Sequence, residues 1–166
     1  MTDDPAVPDI DNEEIPPLAI PEIDVSMGSI LVPVDGSPGS ELGMAWADLI
    51  ARTVGAEVIV VVAFNPPSAI RRRGILETEH LRVEMEADAT EVATEAAQLF
   101  LDRGRRARAL VVVGEAAEAI LETAEAEHVG LIVMGRRGLG RLQGLLVGSV
   151  SERVARHATV PVFLAS

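Results

Sequence analysis

Residues 134–151 read Met-Gly-Arg-Arg-Gly-Leu-Gly-Arg-Leu-Gln-Gly-Leu-Leu-Val-Gly-Ser-Val-Ser. This segment follows an apolar run at 130–133 that is typical of a strand, and it leads into a run with helical character that extends to residue 157. A glycine-rich turn between a strand and a helix lets backbone N–H groups approach an anion, and the helix start adds unpaired N–H donors and roughly half a positive charge. Three arginines, Arg136, Arg137 and Arg141, lie in the same turn. The segment therefore predicts a phosphate site directly after a strand.

Outward from this segment, predicted strands and helices alternate from Ser29 to the end of the chain. The predicted strands are at 29–34, 57–64, 109–113, 130–134 and 160–164. The predicted helices are at 39–54, 77–102, 115–127 and 149–157. Such alternation is typical of an α/β protein with a parallel sheet that is covered by helices on both faces.

Apolar residues at helical spacing predict the buried face of each helix, and capping residues predict where a helix begins. Ser37 is the expected N-cap of the first helix, with Pro38 at its first position. The expected inward residues are Leu42, Trp46, Leu49 and Ile50 in the first helix, Leu81, Met85, Ala89, Val92, Ala96 and Leu99 in the second, and Ile120, Leu121 and Ala124 in the third.

Composition excludes several classes of chemistry. The chain of 166 residues contains no cysteine, which excludes disulfides, thiol catalysis and cysteine-ligated metals. All 14 basic residues are arginine, so a Walker-type P-loop and Schiff-base chemistry are excluded because both need lysine. The three histidines, His80, His128 and His157, show no metal-ligand spacing.

Acidic residues are concentrated at the N-terminus. Residues 1–26 hold eight acidic residues, five prolines and no basic residue, which predicts a disordered acidic extension ahead of one domain at 27–166. The domain itself has 18 acidic residues against 14 arginines, so neither nucleic acid nor an anionic membrane is an expected partner. The arginine clusters at 71–73 and 103–108 are interpreted as solvated.

No targeting or spanning segment is evident in the sequence. No apolar run approaches the ~20 residues that cross a bilayer, and the acidic N-terminus lacks the features of a secretory signal. The expected location is therefore the cytoplasm.

Three segments of the chain resemble the universal stress protein family. Gly135, Gly138, Gly148 and Ser149 reproduce that family's nucleotide-binding signature, Gly-x2-Gly-x9-Gly-Ser. The opening strand of the family is similar to residues 30–37, Ile-Leu-Val-Pro-Val-Asp-Gly-Ser, and its last strand is similar to residues 160–164, Val-Pro-Val-Phe-Leu. The resemblance covers residues 29–164 and implies a Rossmann-like, five-stranded parallel sheet with strand order 3-2-1-4-5.

The resemblance also implies where a nucleotide binds. Ligands of open parallel sheets bind beyond the carboxyl ends of the strands, where the strand order reverses, which here lies between strands one and four. By resemblance, Asp35 holds the ribose, Pro33 flanks the adenine, the backbone of Ala63 meets the amino edge of the adenine, and the backbone of Arg137 contacts phosphate. The full set of implied nucleotide-binding residues is Pro33, Val34, Asp35, Ala63, Met134, Gly135, Arg137, Gly138, Gly148, Ser149, Val150 and Ser151.

Three of these residues also fit purely structural roles. Asp35 is suited to an Asx turn at the corner after the first strand, and Pro33 to the end of a strand. Ser149 and Glu152 fit a capping box, in which Ser149 is the N-cap of the last helix. In that case the Glu152 carboxylate would lie close to the phosphate position, and arginines or a divalent cation would have to compensate its charge.

The family resemblance implies a regulatory module that binds ATP, with or without Mg²⁺, and that acts on a protein partner whose identity the sequence does not contain. The alternatives are a slow ATP hydrolase or phosphoryl-transfer protein, a cyclic-AMP-binding member of the family, and a dimeric scaffold without nucleotide. The complete glycine motif argues against the scaffold. A homodimer through the edge strand at 160–164 is expected, because exposed apolar edges invite pairing.

Overall fold

The computed structural model describes residues 28–66, 75–138 and 147–166. The predicted extension at 1–26, the triple arginine at 71–73, and Gly140 and Arg141 lie outside the described residues. In chain order, the elements are β1 (Ser29–Pro33), α1 (Pro38–Val54), β2 (Glu57–Phe64), α2 (Ile75–Leu101), β3 (Ala107–Val113), α3 (Ala116–Ala126), β4 (Leu131–Gly135), α4 (Ser149–His157) and β5 (Val162–Ala165).

The strands form one parallel sheet in the order β3-β2-β1-β4-β5, as the family resemblance implies. Two strands begin two residues away from their predicted positions, and β4 begins one residue later than predicted. β5 starts at Val162 rather than at 160, because Pro161 has no N–H and joins the sheet only through its carbonyl, which accepts from Ile132 N at 3.0 Å. β3 starts at Ala107 rather than at 109, so Arg108 of the arginine cluster lies within the strand.

Two apolar layers cover the sheet, one on each face. Val32 and Val60 point into the layer formed by α1 and α2, whereas Leu31 and Ile59 point into the layer formed by α3 and α4. Neighbouring residues of a strand point to opposite faces, so a strand that is covered on both sides is apolar throughout. This two-sided cover leaves the ends of the strands open, and ligands of open parallel sheets bind beyond the carboxyl ends.

Of the four residues predicted to face inward in α1, only Ile50 packs against the core, and the prediction is wrong for the other three. Leu42, Trp46 and Leu49 are 38–42% exposed, and the buried residues of the helix are Ser40, Gly43, Ala47 and Ala51. The helix lies so close to the sheet that only small residues fit, since a Cβ on Gly43 would lie 3.0 Å from Gly135 N. The large apolar residues therefore turn outward, and Trp46 contacts Phe163 of β5 with ring centroids 5.1 Å apart.

In α2 the predicted inward face is only partly correct, whereas in α3 it is confirmed. Ala89 and Ala96 of α2 are buried as predicted and Met85 packs against the core, but Leu81, Val92 and Leu99 are exposed. Two alanines and an aromatic residue, Ala93, Ala97 and Phe100, complete the buried face. In α3, Ile120 and Ala124 are buried, and Leu121 packs beside them.

The corner between β1 and α1 is fixed by short-range hydrogen bonds, and its predicted N-cap is confirmed. Ser37 Oγ accepts from Ser40 N at 3.1 Å, which stabilises the helix start by about 1 kcal/mol, and Pro38 follows as the first helical residue. Asp35 Oδ1 accepts from Ser37 N at 3.0 Å. Gly36 has φ +72°, a conformation that L side chains rarely adopt. These contacts set the position of the Asp35 carboxylate.

Candidate functional site

A cavity of about 330 Å³ opens at the carboxyl ends of β1, β2 and β4, where the strand order reverses. The structure brings all twelve predicted site residues to this one cavity: Pro33, Val34, Asp35, Ala63, Met134, Gly135, Arg137, Gly138, Gly148, Ser149, Val150 and Ser151. They come from three strands, two loops and one helix that lie far apart in the sequence. Their convergence follows from the topology, because parallel strands place all their carboxyl ends at the same edge of the sheet.

The cavity is also lined by five residues that the sequence did not predict for the site: Ser40, Val61, Ala116, Ile120 and Val147. Ala116 and Ile120 lie in the first turns of α3 and form an apolar wall. Helical spacing had marked Ile120 as a core residue, and it is one. Its place near the start of α3 could have indicated that it also lines the cavity, because a helix that follows a parallel strand begins at the carboxyl edge of the sheet.

The N-terminus of α4 faces the cavity with open backbone donors. Gly148 is the N-cap, with φ −75° and ψ 154°, and Ser149 is the first helical residue. The amides of Ser149, Val150 and Ser151 have no hydrogen-bond acceptor among the described residues, and all three residues line the cavity. Unpaired first-turn amides together with the positive end of the helix dipole form an anion-binding site.

The predicted capping box of α4 is wrong. With Gly148 as the cap, Glu152 is the fourth helical residue rather than the third, so its side chain is one position too far along to reach back to the cap. Glu152 Oε1 instead accepts from Arg156 Nη2 at 2.8 Å, further along the helix. The negative charge that would have opposed a phosphate is thus paired away from the helix start.

The carbonyl oxygen of Arg136 joins the two ends of the glycine-rich segment. It accepts from Gly148 N at 2.9 Å and from Ser151 Oγ at 2.7 Å. On the other side of the same residue, Arg136 N donates to Ala165 O of β5 at 2.8 Å. The amide of Gly148 is therefore engaged within the protein, and the donors that point to the cavity are those of the residues that follow it.

The motif glycines are needed for different physical reasons. A Cβ on Gly135 would overlap the backbone of Gly39 in α1, so this glycine permits a helix to pack on the end of β4. A Cβ on Gly138 would overlap Asp35 Oδ2, so this glycine lets the loop lie beside the carboxylate. A Cβ on Gly148 would meet Arg136 O and Ser151 Oγ at 3.4 Å, which is close to an ordinary contact.

The turn role that the sequence left open for Asp35 is present in the structure, and the residue also lines the cavity. Oδ1 accepts the Ser37 amide hydrogen bond that forms the Asx turn. Oδ2 lies beside Gly138, on the side of the cavity formed by the loop after β4. The carboxylate is thus oriented by its own turn and presented at the mouth of the cavity, between the ends of β1 and β4.

Within the ranges that the structure describes, no three His, Cys, Asp or Glu side chains are grouped to hold a metal ion. Within those same ranges, no helix has the length and apolar character needed to cross a bilayer.

The family model of the universal stress protein family matches residues 27–166. This chain belongs to the universal stress protein family. A universal stress protein of Thermus aquaticus, described by its position in the QAH/OAS sulfhydrylase 3' region, is 38% identical over 136 residues, which are 82% of this chain and 96% of the relative.

Two solved structures show the same fold. One is that of a hypothetical protein, described as a test case of structural genomics, with 26% identity and a TM-score of 0.76 over 85% of this chain and 96% of the other. The second is a universal stress protein in complex with cAMP, with 26% identity and a TM-score of 0.64 over 84% of this chain and 96% of the other. The sheet order implied by the resemblance is thus confirmed as that of universal stress proteins.

Proposed function

We propose that this universal stress protein binds ATP in the cavity between β1 and β4 and acts as a nucleotide-dependent regulatory module in the stress response. One observation carries the proposal. The open amides of the α4 N-terminus and the carboxylate of Asp35 line a single cavity. That arrangement offers anion donors for phosphates and an acceptor for sugar hydroxyls within one site.

The lining suggests how the nucleotide lies. Apolar surfaces of Pro33, Ala63 and Ile120 suit the adenine ring, and the first turn of α4 suits the phosphates. Asp35, between these two regions, would accept the ribose hydroxyls. Arg137 lines the phosphate region and supplies a positive charge there. A cavity of about 330 Å³ is within the usual range for small-molecule sites, roughly 300–1,000 Å³.

We propose that Mg²⁺, where it takes part, enters with the phosphates. In protein sites Mg²⁺ is commonly bound through one or two carboxylates together with substrate phosphates. Among the described residues that line this cavity, Asp35 is the one carboxylate, and it is assigned to the ribose. The residues present therefore fit a metal ion carried by the nucleotide better than one held by a dedicated set of protein ligands.

ATP bound to the purified protein is expected to remain intact for hours. Phosphoryl transfer requires a positioned nucleophile, and the Asp35 carboxylate already accepts a backbone hydrogen bond and is assigned to the sugar. A single-turnover assay with excess protein and labelled ATP measures this directly. Steady conversion to ADP would instead support a slow ATP hydrolase.

Cyclic AMP is a second candidate ligand, because a universal stress protein of the same fold has been solved in complex with cAMP. The adenosine half of the proposed site would serve both nucleotides. Only ATP extends a triphosphate chain along the first turn of α4, so we propose that ATP is preferred. Competition between the two nucleotides in one equilibrium binding assay measures that preference.

We propose that the protein forms a homodimer through β5. Within the described residues no strand pairs with the outer edge of β5, and the partly buried Phe163 and the exposed Trp46 lie together there. Sedimentation equilibrium at micromolar concentration is expected to give the dimer mass. A monomer mass there would contradict the proposal. The protein partner and the cytoplasmic location stay predictions from the sequence.

A further inference from the structure

Gly39, in the first turn of α1, lies directly against the loop that follows β4. A Cβ built on Gly39 would overlap the carbonyl oxygen of Arg137. Two residues before Arg137, a Cβ on Gly135 would overlap the backbone of Gly39 itself. The start of α1 and the end of β4 therefore touch backbone to backbone, which only residues without side chains allow.

This contact fixes the direction of one peptide group. The carbonyl of Arg137 points toward Gly39, and therefore toward α1. A trans peptide is planar, with its C=O and N–H groups pointing in opposite directions. The N–H of the same peptide group, which belongs to Gly138, therefore points away from α1.

The direction away from α1 is the direction of the cavity. α1 packs on one face of the sheet with α2, whereas α3 and α4 pack on the opposite face. Among the helical residues that line the cavity, only Ser40 belongs to α1, and the others belong to the starts of α3 and α4; Gly138 lines the same cavity. The Gly138 amide consequently points to the same region as the open amides of α4.

We propose that Gly39 is a positioning residue for phosphate binding. By leaving room for the Arg137 carbonyl, it holds the Arg137–Gly138 peptide with its N–H directed into the cavity. A side chain at position 39 would push this peptide and misdirect the amide. The proposal rests on nucleotide binding in this cavity, and it adds a residue from α1 that itself does not touch the ligand.

Gly39→Ala tests the proposal through the ratio of two affinities. The substitution is expected to weaken ATP binding roughly 10- to 100-fold, as for the loss of one hydrogen bond to a charged group, and to leave adenosine affinity unchanged. Titration calorimetry with both ligands gives the ratio. Equal ATP-to-adenosine ratios in the wild type and the variant would overturn the proposal.

Gly43→Ala is the matched control, one helical turn further along the same face of α1. Its Cβ would press on Gly135 N at 3.0 Å and on the Met134 carbonyl carbon at 3.1 Å, so it strains the same helix–strand contact without meeting Arg137. It is expected to change ATP and adenosine affinity by the same factor. A selective loss of ATP affinity in this variant would overturn the proposal, because general displacement of α1 would then explain both results.

A measurement on the unaltered protein covers the case in which Gly39→Ala does not fold. In ¹H–¹⁵N spectra, the Gly138 amide resonance is expected to shift on addition of ATP and to shift far less on addition of adenosine. Equal shifts with both ligands would contradict the assigned direction of the amide. If neither ATP nor adenosine binds, the proposed function itself is refuted. That result differs from equal shifts with both ligands, which contradict only the role of Gly39.

Discussion

Gly138→Val is expected to lower ATP affinity by at least about 100-fold while the protein stays folded. The added Cβ would overlap Asp35 Oδ2, so either the carboxylate or the loop has to move. Movement of either one separates the groups assigned to the ribose from those assigned to the phosphates. Loss of two hydrogen bonds to charged groups, at about 1.5 kcal/mol each or more, corresponds to roughly a 100-fold change in affinity.

The fold should tolerate the change, because Gly138 is exposed and lies outside the sheet. Titration calorimetry reports the affinity, and circular dichroism with thermal unfolding reports the fold. Gly28→Val is the matched control, since a Cβ on Gly28 meets nothing within 4 Å and the position is remote from the cavity. Unchanged ATP affinity in Gly138→Val would remove the basis for placing a nucleotide between β1 and β4.

Gly148→Val is also expected to lower ATP affinity, but by a smaller factor than Gly138→Val. Its Cβ meets Arg136 O and Ser151 Oγ at the base of the loop rather than the Asp35 carboxylate. The branched side chain would loosen the hydrogen bonds that orient the α4 N-terminus, without entering the ribose region.

Asp35→Asn is expected to lower ATP affinity by roughly 10- to 100-fold, even though the substitution removes a negative charge near a triphosphate. The amide oxygen of asparagine can still accept from Ser37 N, so the Asx turn and the start of α1 should persist. What is lost is the charge that strengthens hydrogen bonds from the ribose hydroxyls. If Asp35 binds the ribose, Asp35→Asn lowers ATP affinity. If Asp35 serves only the turn, the substitution leaves ATP affinity unchanged or raises it.

A sugar-modified ligand isolates the effect. With 2′,3′-dideoxy-ATP, the wild type and Asp35→Asn are expected to bind with nearly equal affinity, because neither can bond to hydroxyls that are absent. Equal or tighter ATP binding by Asp35→Asn would show that the carboxylate serves the turn alone, since removal of its charge would then relieve repulsion of the phosphates.

The positions of strands and helices were predictable from sequence because burial on both faces of a parallel sheet leaves long apolar runs, as in Val58–Val62. Pattern alone did not give the strand order, which came from the family resemblance. The buried face of each helix was harder to predict from the sequence. In α1, the predicted stripe of Leu42, Trp46 and Leu49 has the correct period but points outward, because close contact with β4 admits only small residues.

The sequence predicted which residues meet in one cavity, because strand order determines that, but it did not predict which hydrogen bonds form at the start of α4. The convergence of Asp35 with the glycine-rich loop follows from strand order. The N-cap of α4 does not, since Gly148 and Ser149 are both acceptable caps and the Arg136 carbonyl favours the former by accepting its amide. Gly39 carried no signal in the sequence, because its importance comes from a contact with a residue nearly a hundred positions away.

The close packing of α1 on the sheet also determines which changes the helix can accept. On its inner side, at Gly39 and Gly43, even one added methyl group forces the backbone apart, and overpacking of this kind typically costs about 1–3 kcal/mol. On its outer side, Leu42 and Leu49 can be exchanged for polar residues with little effect on the free energy of unfolding of a single subunit. Attachment of a fluorophore or an affinity label is accordingly best directed to the outward positions of this helix.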